Sequence, residues 1–226
     1  MRKLSSKSIL TFRLKSRKGK ETFAANLKLP IKPKVSKEGG GDYWISSLSA
    51  ISNSYKDNSV DSMTDKISEL HGKITKATPP QVRNMYQRNI GILNSFLGYD
   101  LKRLRPGKDI EFLKKDATKS ILTIKGLEIE TDSRYAYVFK DNKTEKVGAI
   151  WLIAKLEGYE KEELGLFADI LFRYLKKNFS KKYELDSKYC LAVDVMAPQQ
   201  ISFSQVESGI VPAILDTTLE EIRRLL

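Results

Sequence analysis

The sequence predicts an α/β fold with a mixed central sheet flanked by helices. Three strand candidates, residues 121–131, 134–139 and 147–156, lie between two stretches with the apolar spacing of amphipathic helices. A fourth run, residues 189–196, is almost continuously apolar, as a strand covered on both faces must be. A meander of strands followed by a helix that crosses to a further strand implies a mixed sheet with helices on both faces.

Residues 1–41 are predicted to form an appendage, a β-hairpin followed by a flexible connector. Apolar side chains alternate in residues 8–16 and again in residues 23–29, on either side of a turn-like basic stretch. Residues 30–41 contain two prolines and three consecutive glycines, a composition typical of a flexible linker. We therefore expect this segment to move separately from the rest of the chain.

Residues 42–77 are predicted to form a helical segment. Asp42 is a good N-cap for a first helix, whose apolar face begins with Trp44. Residues 60–74 repeat apolar side chains at helical spacing and predict a second helix.

Residues 78–226 are predicted to hold the α/β core. Thr78 and the two prolines after it have the spacing of a capping box with proline in the first turn, so a helix is expected to begin there. After the three strands, residues 160–179 carry one apolar face and predict a further helix. A final helix over about residues 204–226 passes through Pro212, which should kink or divide it.

The charge balance indicates an anionic partner. Lys and Arg number 40 against 28 Asp and Glu, which gives a formal net charge of +12 and a pI near 9.5. Nucleic acid fits because its phosphates favour clustered Lys and Arg, and a basic, well-solvated surface is the alternative. The candidate phosphate contacts lie on the polar face of the helix after Thr78 and just past its end: Arg83, Arg88, Lys102, Arg103 and Arg105.

Several classes of protein and site are excluded or disfavoured. No apolar run approaches the roughly 20 residues of a membrane span, and the basic N-terminus lacks the apolar core of a signal peptide. Cys190 is the single cysteine, which excludes an internal disulfide and suggests a buried thiol. His71 is the single histidine, which excludes a multi-histidine zinc site. We expect a cytoplasmic location and no membrane partner.

Lys155 is the residue on which the candidate site is based. It is the one charged residue in the run 147–156, and desolvating an ammonium group is costly unless something compensates. By strand parity Lys155 shares a face with Trp151 and Ile153. Either its ammonium belongs to a functional site, or its stem lies on apolar surface while the charge reaches solvent.

This order of elements, with a lysine late in the third strand, resembles the PD-(D/E)XK nuclease-like superfamily. The resemblance covers about residues 78–196 and implies a restriction-endonuclease-like core with the order αβββαβ. It implies cleavage of phosphodiesters with Mg²⁺ as cofactor, in which carboxylates hold the metal and a lysine positions or activates water. On this resemblance Asp132 and Lys155 are the catalytic residues, and Glu130 and Asp132 are the metal ligands.

The sequence also departs from the superfamily pattern. The third-strand triplet ends in Lys155 but has Ile153 at the carboxylate position, and the Pro-Asp pair upstream is missing. If the chain is extended there, Glu128, Glu130 and Asp132 share one face, either as metal ligands or as a solvated row. The resemblance therefore predicts a nucleic-acid-binding protein with a degenerate Mg²⁺-dependent nuclease site, and the alternative is a catalytically inactive assembly or interaction subunit of a larger complex.

Two further alternatives stay open from the sequence. Asp194 lies inside an apolar strand, where it is either a site residue or a hydrogen-bonded structural carboxylate. Tyr43, Trp44 and Tyr55 either anchor a protein partner or pack in the core.

Overall fold

The computed structural model describes residues 2–30, 43–75, 78–107, 109–113, 120–131 and 135–226. The helices are α1 (Ser6–Arg13), α2 (Arg17–Lys28), α3 (Ile45–Asp57), α4 (Asp61–Lys73), α5 (Pro80–Leu97), α6 (Lys161–Phe179), α7 (Phe203–Glu207) and α8 (Leu215–Leu225), with a 3₁₀ helix at Leu101–Leu104. The strands are β1 (Leu4–Ser5), β2 (Ile110–Phe112), β3 (Ile121–Ile124), β4 (Leu127–Glu130), β5 (Tyr135–Asp141), β6 (Thr144–Ile153), β7 (Glu184–Asp194) and β8 (Gln199–Ser202).

The main sheet has five strands in the order β2-β5-β6-β7-β8. Strand β5 runs antiparallel to β2 and β6, which makes a meander of three strands. Helix α6 then crosses to β7, which lies parallel to β6, and β8 returns antiparallel to β7. The predicted α/β class, with a mixed sheet flanked by helices, is confirmed.

Residues 121–131, predicted as one strand, form a separate hairpin. Strands β3 and β4 pair with Ile124 opposite Leu127, and β1 adds to β4 in parallel, so these strands make a second sheet. Lys125 and Gly126 have φ values of 51° and 78°, which is the left-handed geometry of a tight two-residue hairpin turn. The single-strand prediction is wrong because the apolar alternation continues on both sides of this two-residue turn, so the sequence pattern does not show where β3 ends and β4 begins.

The predicted N-terminal hairpin is also wrong, since this segment forms helices α1 and α2. Each helix has a serine at its N-cap, Ser5 and Ser16, whose hydroxyl accepts from the backbone N–H three residues later at 3.1 and 3.3 Å. Such caps favour a helix start by about 1 kcal/mol. Ile9 and Phe12 fit the spacing of one helical face as well as they fit a short alternating pattern, so the caps decide the structure.

Helices α1 and α2 belong to the main core rather than to a separate appendage. Phe12 is fully buried, and its ring centroid lies 5.3 Å from that of Phe23. Lys20 Nζ on α2 binds Glu221 Oε1 on α8 at 2.8 Å. The predicted connector at residues 30–41, apart from Pro30, and the predicted cap Asp42 lie outside the described residues.

The main sheet separates two apolar cores. Ala136 and Val138 face a core made with α1, α2, α6 and α8, whereas Tyr137 and Phe139 face a core made with α3, α4 and α5. This alternation follows from the period of two along a strand. Within the described ranges, none of the helices is long and apolar enough to span a membrane.

The ends of two helices test the sequence patterns directly. Helix α5 begins with Pro80 in its first turn as expected, but the predicted capping box is wrong, because the Thr78 hydroxyl accepts from the N–H of Thr75 at 2.9 Å instead. Helix α7 ends at Glu207 and α8 begins at Leu215, so Pro212 divides the C-terminal helix as predicted.

Strand β7 lies under α6, and Cys190 is at the contact. Its side chain is fully buried, with the Sγ atom 3.6 Å from the backbone oxygen of Ala168 on α6. Burial raises the pKa of this thiol well above its ordinary value. The predicted buried thiol is confirmed.

Candidate functional site

Lys155 lies in a tight turn just beyond β6, which ends at Ile153, so the prediction that Lys155 is part of the third strand is wrong. The backbone N–H of Gly158 donates to the Lys155 oxygen at 2.9 Å, and Gly158 has a φ of 75° that favours glycine. A Cβ on Gly158 would also lie 3.1 Å from Asp194 Oδ2. The turn therefore fixes where the Lys155 backbone leaves the sheet.

Asp194 holds this turn against the end of β7. Its carboxylate is fully buried, and it accepts from the N–H of Tyr159 at 2.7 Å and from that of Met196 at 2.8 Å. Burial raises the pKa of Asp194, although these backbone donors and the Lys155 charge act in the opposite direction. The sequence left Asp194 as either a site residue or a hydrogen-bonded structural carboxylate, and these hydrogen bonds support the structural role.

The Lys155 ammonium is paired with a carboxylate from α6. Nζ lies 3.0 Å from Glu163 Oε2 and 3.2 Å from Oε1, and 5.2 Å from the centroid of the Tyr159 ring. The side chain of Lys155 is 39% exposed and that of Glu163 only 14%. The predicted parity is confirmed, because Trp151 and Ile153 line the core that α6 covers.

Glu163 was missed from the sequence, although a pattern marks it. It occupies the third position of α6, and its Oε2 accepts from the backbone N–H of Glu160 at 3.0 Å. The Glu160 side chain accepts in turn from the backbone N–H of Glu163, and this pair of hydrogen bonds is a capping box. The two glutamates three residues apart, directly after the turn, are the pattern that could have placed a carboxylate beside Lys155.

Tyr159 adds a neutral hydroxyl to this cluster. Burial raises the pKa of its phenol, and the neighbouring carboxylates of Asp194 and Glu163 raise it further. The phenol therefore stays protonated at neutral pH and can act as a hydrogen-bond donor but not as a base.

A cleft of about 600 Å³ opens next to the Lys155 turn. Ile153 and Ala154, which precede Lys155, line it, and so does Phe167, one helical turn after Glu163. Its other aromatic lining residues are Tyr43, Trp44, Tyr135 and Trp151, and its polar lining residues are Lys3, Ser5, Ser6, Lys7, Ser52, Ser120, Glu130 and Thr131. The cleft thus combines an aromatic wall with charged and hydroxyl groups.

The predicted metal ligands are only partly described. Glu128 and Glu130 are exposed on one face of β4, opposite Leu127 and Ile129, as parity predicts, whereas Asp132 lies outside the described residues. Within the described part of the chain, no three His, Cys, Asp or Glu side chains converge on a common point. Of the two predicted ligands, the described residues therefore include Glu130 alone.

Two members of the predicted phosphate-binding cluster have structural partners in the helical layer, which consists of α3, α4 and α5. Arg105 is 7% exposed, and its guanidinium donates to the backbone oxygens of Tyr55 and Lys56 at the end of α3. Arg83 Nη2 donates to the backbone oxygens of Thr75 and Thr78 at 3.2 and 3.3 Å. Both guanidinium groups thus satisfy carbonyl oxygens in loops and at a helix end.

The other three members of the cluster lie at the surface. Lys102 and Arg103 are exposed on the 3₁₀ helix, and Arg103 Nε lies 3.7 Å from Asp100 Oδ2. Arg88 donates to the Tyr43 hydroxyl at 3.2 Å and lies 5.7 Å from the centroid of that ring. These residues are accessible to an anion, whereas Arg83 and Arg105 have structural partners.

The aromatic residues of the helical layer divide between core and cleft. Tyr55 is fully buried, and its hydroxyl donates to the backbone oxygen of Leu104 at 3.2 Å. Tyr43 and Trp44 are half-buried at the cleft, with ring centroids 4.5 Å apart.

Positive charge is concentrated on the N-terminal helices. Residues 2–30 contain nine Lys and Arg against one Glu. Lys3, Lys7, Lys15 and Lys18 are exposed, and among the described residues none of these four ammonium groups has an ion pair or a hydrogen bond. A count of charge by segment would have located this surface from the sequence.

Comparisons of the chain with protein-family models, with curated proteins and with solved structures give no match.

Proposed function

We propose that this chain is a nucleic-acid-binding protein built on a PD-(D/E)XK-like core. The observation that carries the proposal is the order and direction of its elements: α5, the meander β2-β5-β6, then α6 and the parallel strand β7. This order supports the proposal because it matches the αβββαβ order that the resemblance implies, if β3 and β4 are an insertion after the first strand. Lys155 follows the third core strand, and the net charge of +12 favours a phosphate-bearing partner.

The proposed activity is binding, with little or no cleavage by the isolated chain. Ile153 occupies the carboxylate position of the triplet, and the Lys155 ammonium already binds Glu163. The Glu163 carboxylate at 3.0 Å offsets the positive charge of Lys155, although the ammonium keeps donors for a further partner. Nucleic-acid contact through the exposed Lys102 and Arg103 does not depend on Lys155.

Lys155→Met tests the proposal when binding and cleavage are measured together. We expect fluorescence anisotropy to show oligonucleotide binding by both the wild type and the variant, and a gel assay with Mg²⁺ to show no cleavage by either. Methionine keeps the apolar stem, and the carboxylate of Glu163 stays favourable at a helix N-terminus, so stability should change little.

Lys161→Met, which removes an exposed lysine at the start of α6, is the matched control. Mg²⁺-dependent cleavage that persists in Lys161→Met and disappears in Lys155→Met would show an active nuclease and overturn the proposal of binding alone. Absence of oligonucleotide binding at low salt would overturn the proposal altogether and favour the inactive interaction subunit.

A further inference from the structure

The cleft next to the Lys155 turn has features that a nuclease-like core does not require. Its volume of about 600 Å³ lies within the range of about 300–1,000 Å³ that is usual for small-ligand sites. Trp44 and Trp151 lie on its wall, together with Tyr43 and Tyr135. Aromatic side chains around a cleft of this size offer surfaces on which a planar ring can stack.

The polar groups of the cleft are not all satisfied by the described part of the protein. The Ser120 hydroxyl is buried and has no hydrogen-bond partner among the described residues, although buried hydroxyls normally have one. Lys3 and Lys7 are on the cleft lining, and their ammonium groups are unpaired within the described ranges. Glu130 contributes one carboxylate, so the lining has two positive charges against one negative charge. The two unpaired ammonium groups can bind a phosphate, and the Ser120 hydroxyl can bind the polar edge of a ring.

We propose that the cleft binds one unpaired nucleotide of a single strand, with the base among the aromatic side chains and its phosphate at Lys3 and Lys7. This inference rests on the proposed nucleic-acid binding and specifies its substrate class. An unpaired base has free ring faces for stacking, whereas the faces and edges of a base in a duplex are covered. The Ser120 hydroxyl and the Glu130 carboxylate would supply a donor and an acceptor for the edge of the base or the sugar.

The two tryptophans of the chain make the proposal directly measurable. Trp44 and Trp151 are the only tryptophans in the sequence, and both line the cleft. We expect a single-stranded decanucleotide to quench or shift the tryptophan emission at the concentrations at which anisotropy reports binding. The blunt duplex of the same sequence should bind through exposed cations outside the cleft lining, such as Lys102 and Arg103, and leave the emission unchanged.

Matched lysine pairs test where the phosphate lies. Lys3→Gln with Lys7→Gln should weaken single-strand binding at least tenfold, because both cations proposed to hold the phosphate are removed. Lys15→Gln with Lys18→Gln removes the same charge from exposed positions outside the cleft lining and should weaken it less than threefold. Ser120→Ala should weaken single-strand binding severalfold without lowering the melting temperature.

The outcomes separate this inference from the proposed function. Binding by anisotropy without a change in emission, or an equal weakening by the two lysine pairs, would overturn the cleft assignment and leave nucleic-acid binding intact. An emission change with deoxyadenosine monophosphate but none with the decanucleotide would assign the cleft to a free nucleotide and overturn the single-strand assignment. No binding in either assay would overturn both proposals.

Discussion

Arg173 on α6 binds two carboxylates at once. Its guanidinium donates to Asp169 at 2.7 and 3.3 Å and to Asp216 on α8 at 3.0 and 2.8 Å. Asp169 is only 4% exposed, and its burial raises its pKa in spite of the arginine. The hydrogen bond from Arg173 lowers the pKa of Asp216. One side chain therefore compensates a buried charge and joins two helices.

Arg173→Met should destabilise the protein by about 3 kcal/mol at pH 7, since it leaves the Asp169 charge buried without a partner. Asp169 then has a folded-state pKa still further above its unfolded value, so the variant loses stability as pH rises. In the wild type, Asp216 has a lowered pKa and contributes stability that is lost as pH falls. Because pH 4.5 is still above the ordinary Asp pKa of about 3.9, Asp216 contributes at both pH values, and it is Asp169 that makes the destabilisation smaller at pH 4.5 than at pH 7. Urea unfolding at both pH values measures this difference.

Arg17→Met is the control, because the pair of Arg17 with Glu21 is exposed and should have little effect at either pH. An equal destabilisation by Arg173→Met at pH 4.5 and pH 7 would mean that Asp169 does not titrate in the way the burial implies.

Strand parity predicted the face that Lys155 occupies, because that follows from local geometry alone. Its partner Glu163 and the burial of Arg105 depend on contacts between separate elements. Arginine is rarely buried, so treating Arg105 as a surface residue was reasonable from the sequence. Sequence patterns thus predict which face of an element a residue occupies better than they predict which residue a charged side chain pairs with.

At the scale of elements, the docking of α1 and α2 replaces the independent hairpin that the sequence predicted. Phe12 is fully buried in the core shared with α6 and α8, whereas Leu14, just after α1, is 79% exposed. This contrast between two apolar residues allows the docking to be measured.

Phe12→Ala should destabilise the whole protein by about 3–5 kcal/mol, because it removes a buried ring and leaves a cavity. Leu14→Ala should leave the free energy of unfolding nearly unchanged, since its side chain is already in water. Urea unfolding followed by circular dichroism measures both. Similar small effects in the two variants would mean that α1 does not pack on the core in solution.

Long periodic segments were predicted well, and short ones were not. Helices α4, α5 and α6 and strand β5 lie close to where the apolar pattern put them, whereas β6 (Thr144–Ile153) and β7 (Glu184–Asp194) overlap the predicted runs 147–156 and 189–196 but begin and end earlier. Helix α1 spans eight residues, and β3 and β4 span four each, so few positions distinguish a helical period from an alternating one. Caps and a two-residue turn decided these elements instead.

At the scale of the molecule, the parallel pairing of β1 with β4 joins the N-terminus to a hairpin more than one hundred residues away. No local pattern specifies such a contact. The same holds for the cleft, whose lining comes from α1, the start of α3, β4 and β6. The order from β5 through α6 to β7 was predictable from consecutive elements, but the first core strand β2 was not, because the predicted first strand lies in the second sheet. The site likewise required the assembled chain.

Binding to nucleic acid should weaken linearly with the logarithm of salt concentration, as expected for a basic protein that displaces counterions. Lys102→Gln with Arg103→Gln should lower that slope by about two, one for each phosphate that is no longer neutralised. Lys140→Gln with Lys143→Gln, at the β5–β6 turn and the opposite end of β6 from Lys155, should leave it unchanged. Anisotropy titrations at several salt concentrations give both slopes, and equal slopes for the two pairs would remove Lys102 and Arg103 from the binding surface.

Because the sequence has a single cysteine, a thiol reagent can measure how often the core opens without any engineered label. Cys190 lies between β7 and α6, and burial keeps its thiol protonated. The thiolate is the nucleophile that attacks alkylating reagents, so Cys190 is modified only in molecules whose helix has separated from the sheet. The rate of alkylation under native conditions therefore reports how often that separation occurs, and its dependence on added oligonucleotide would report whether binding holds the two layers together.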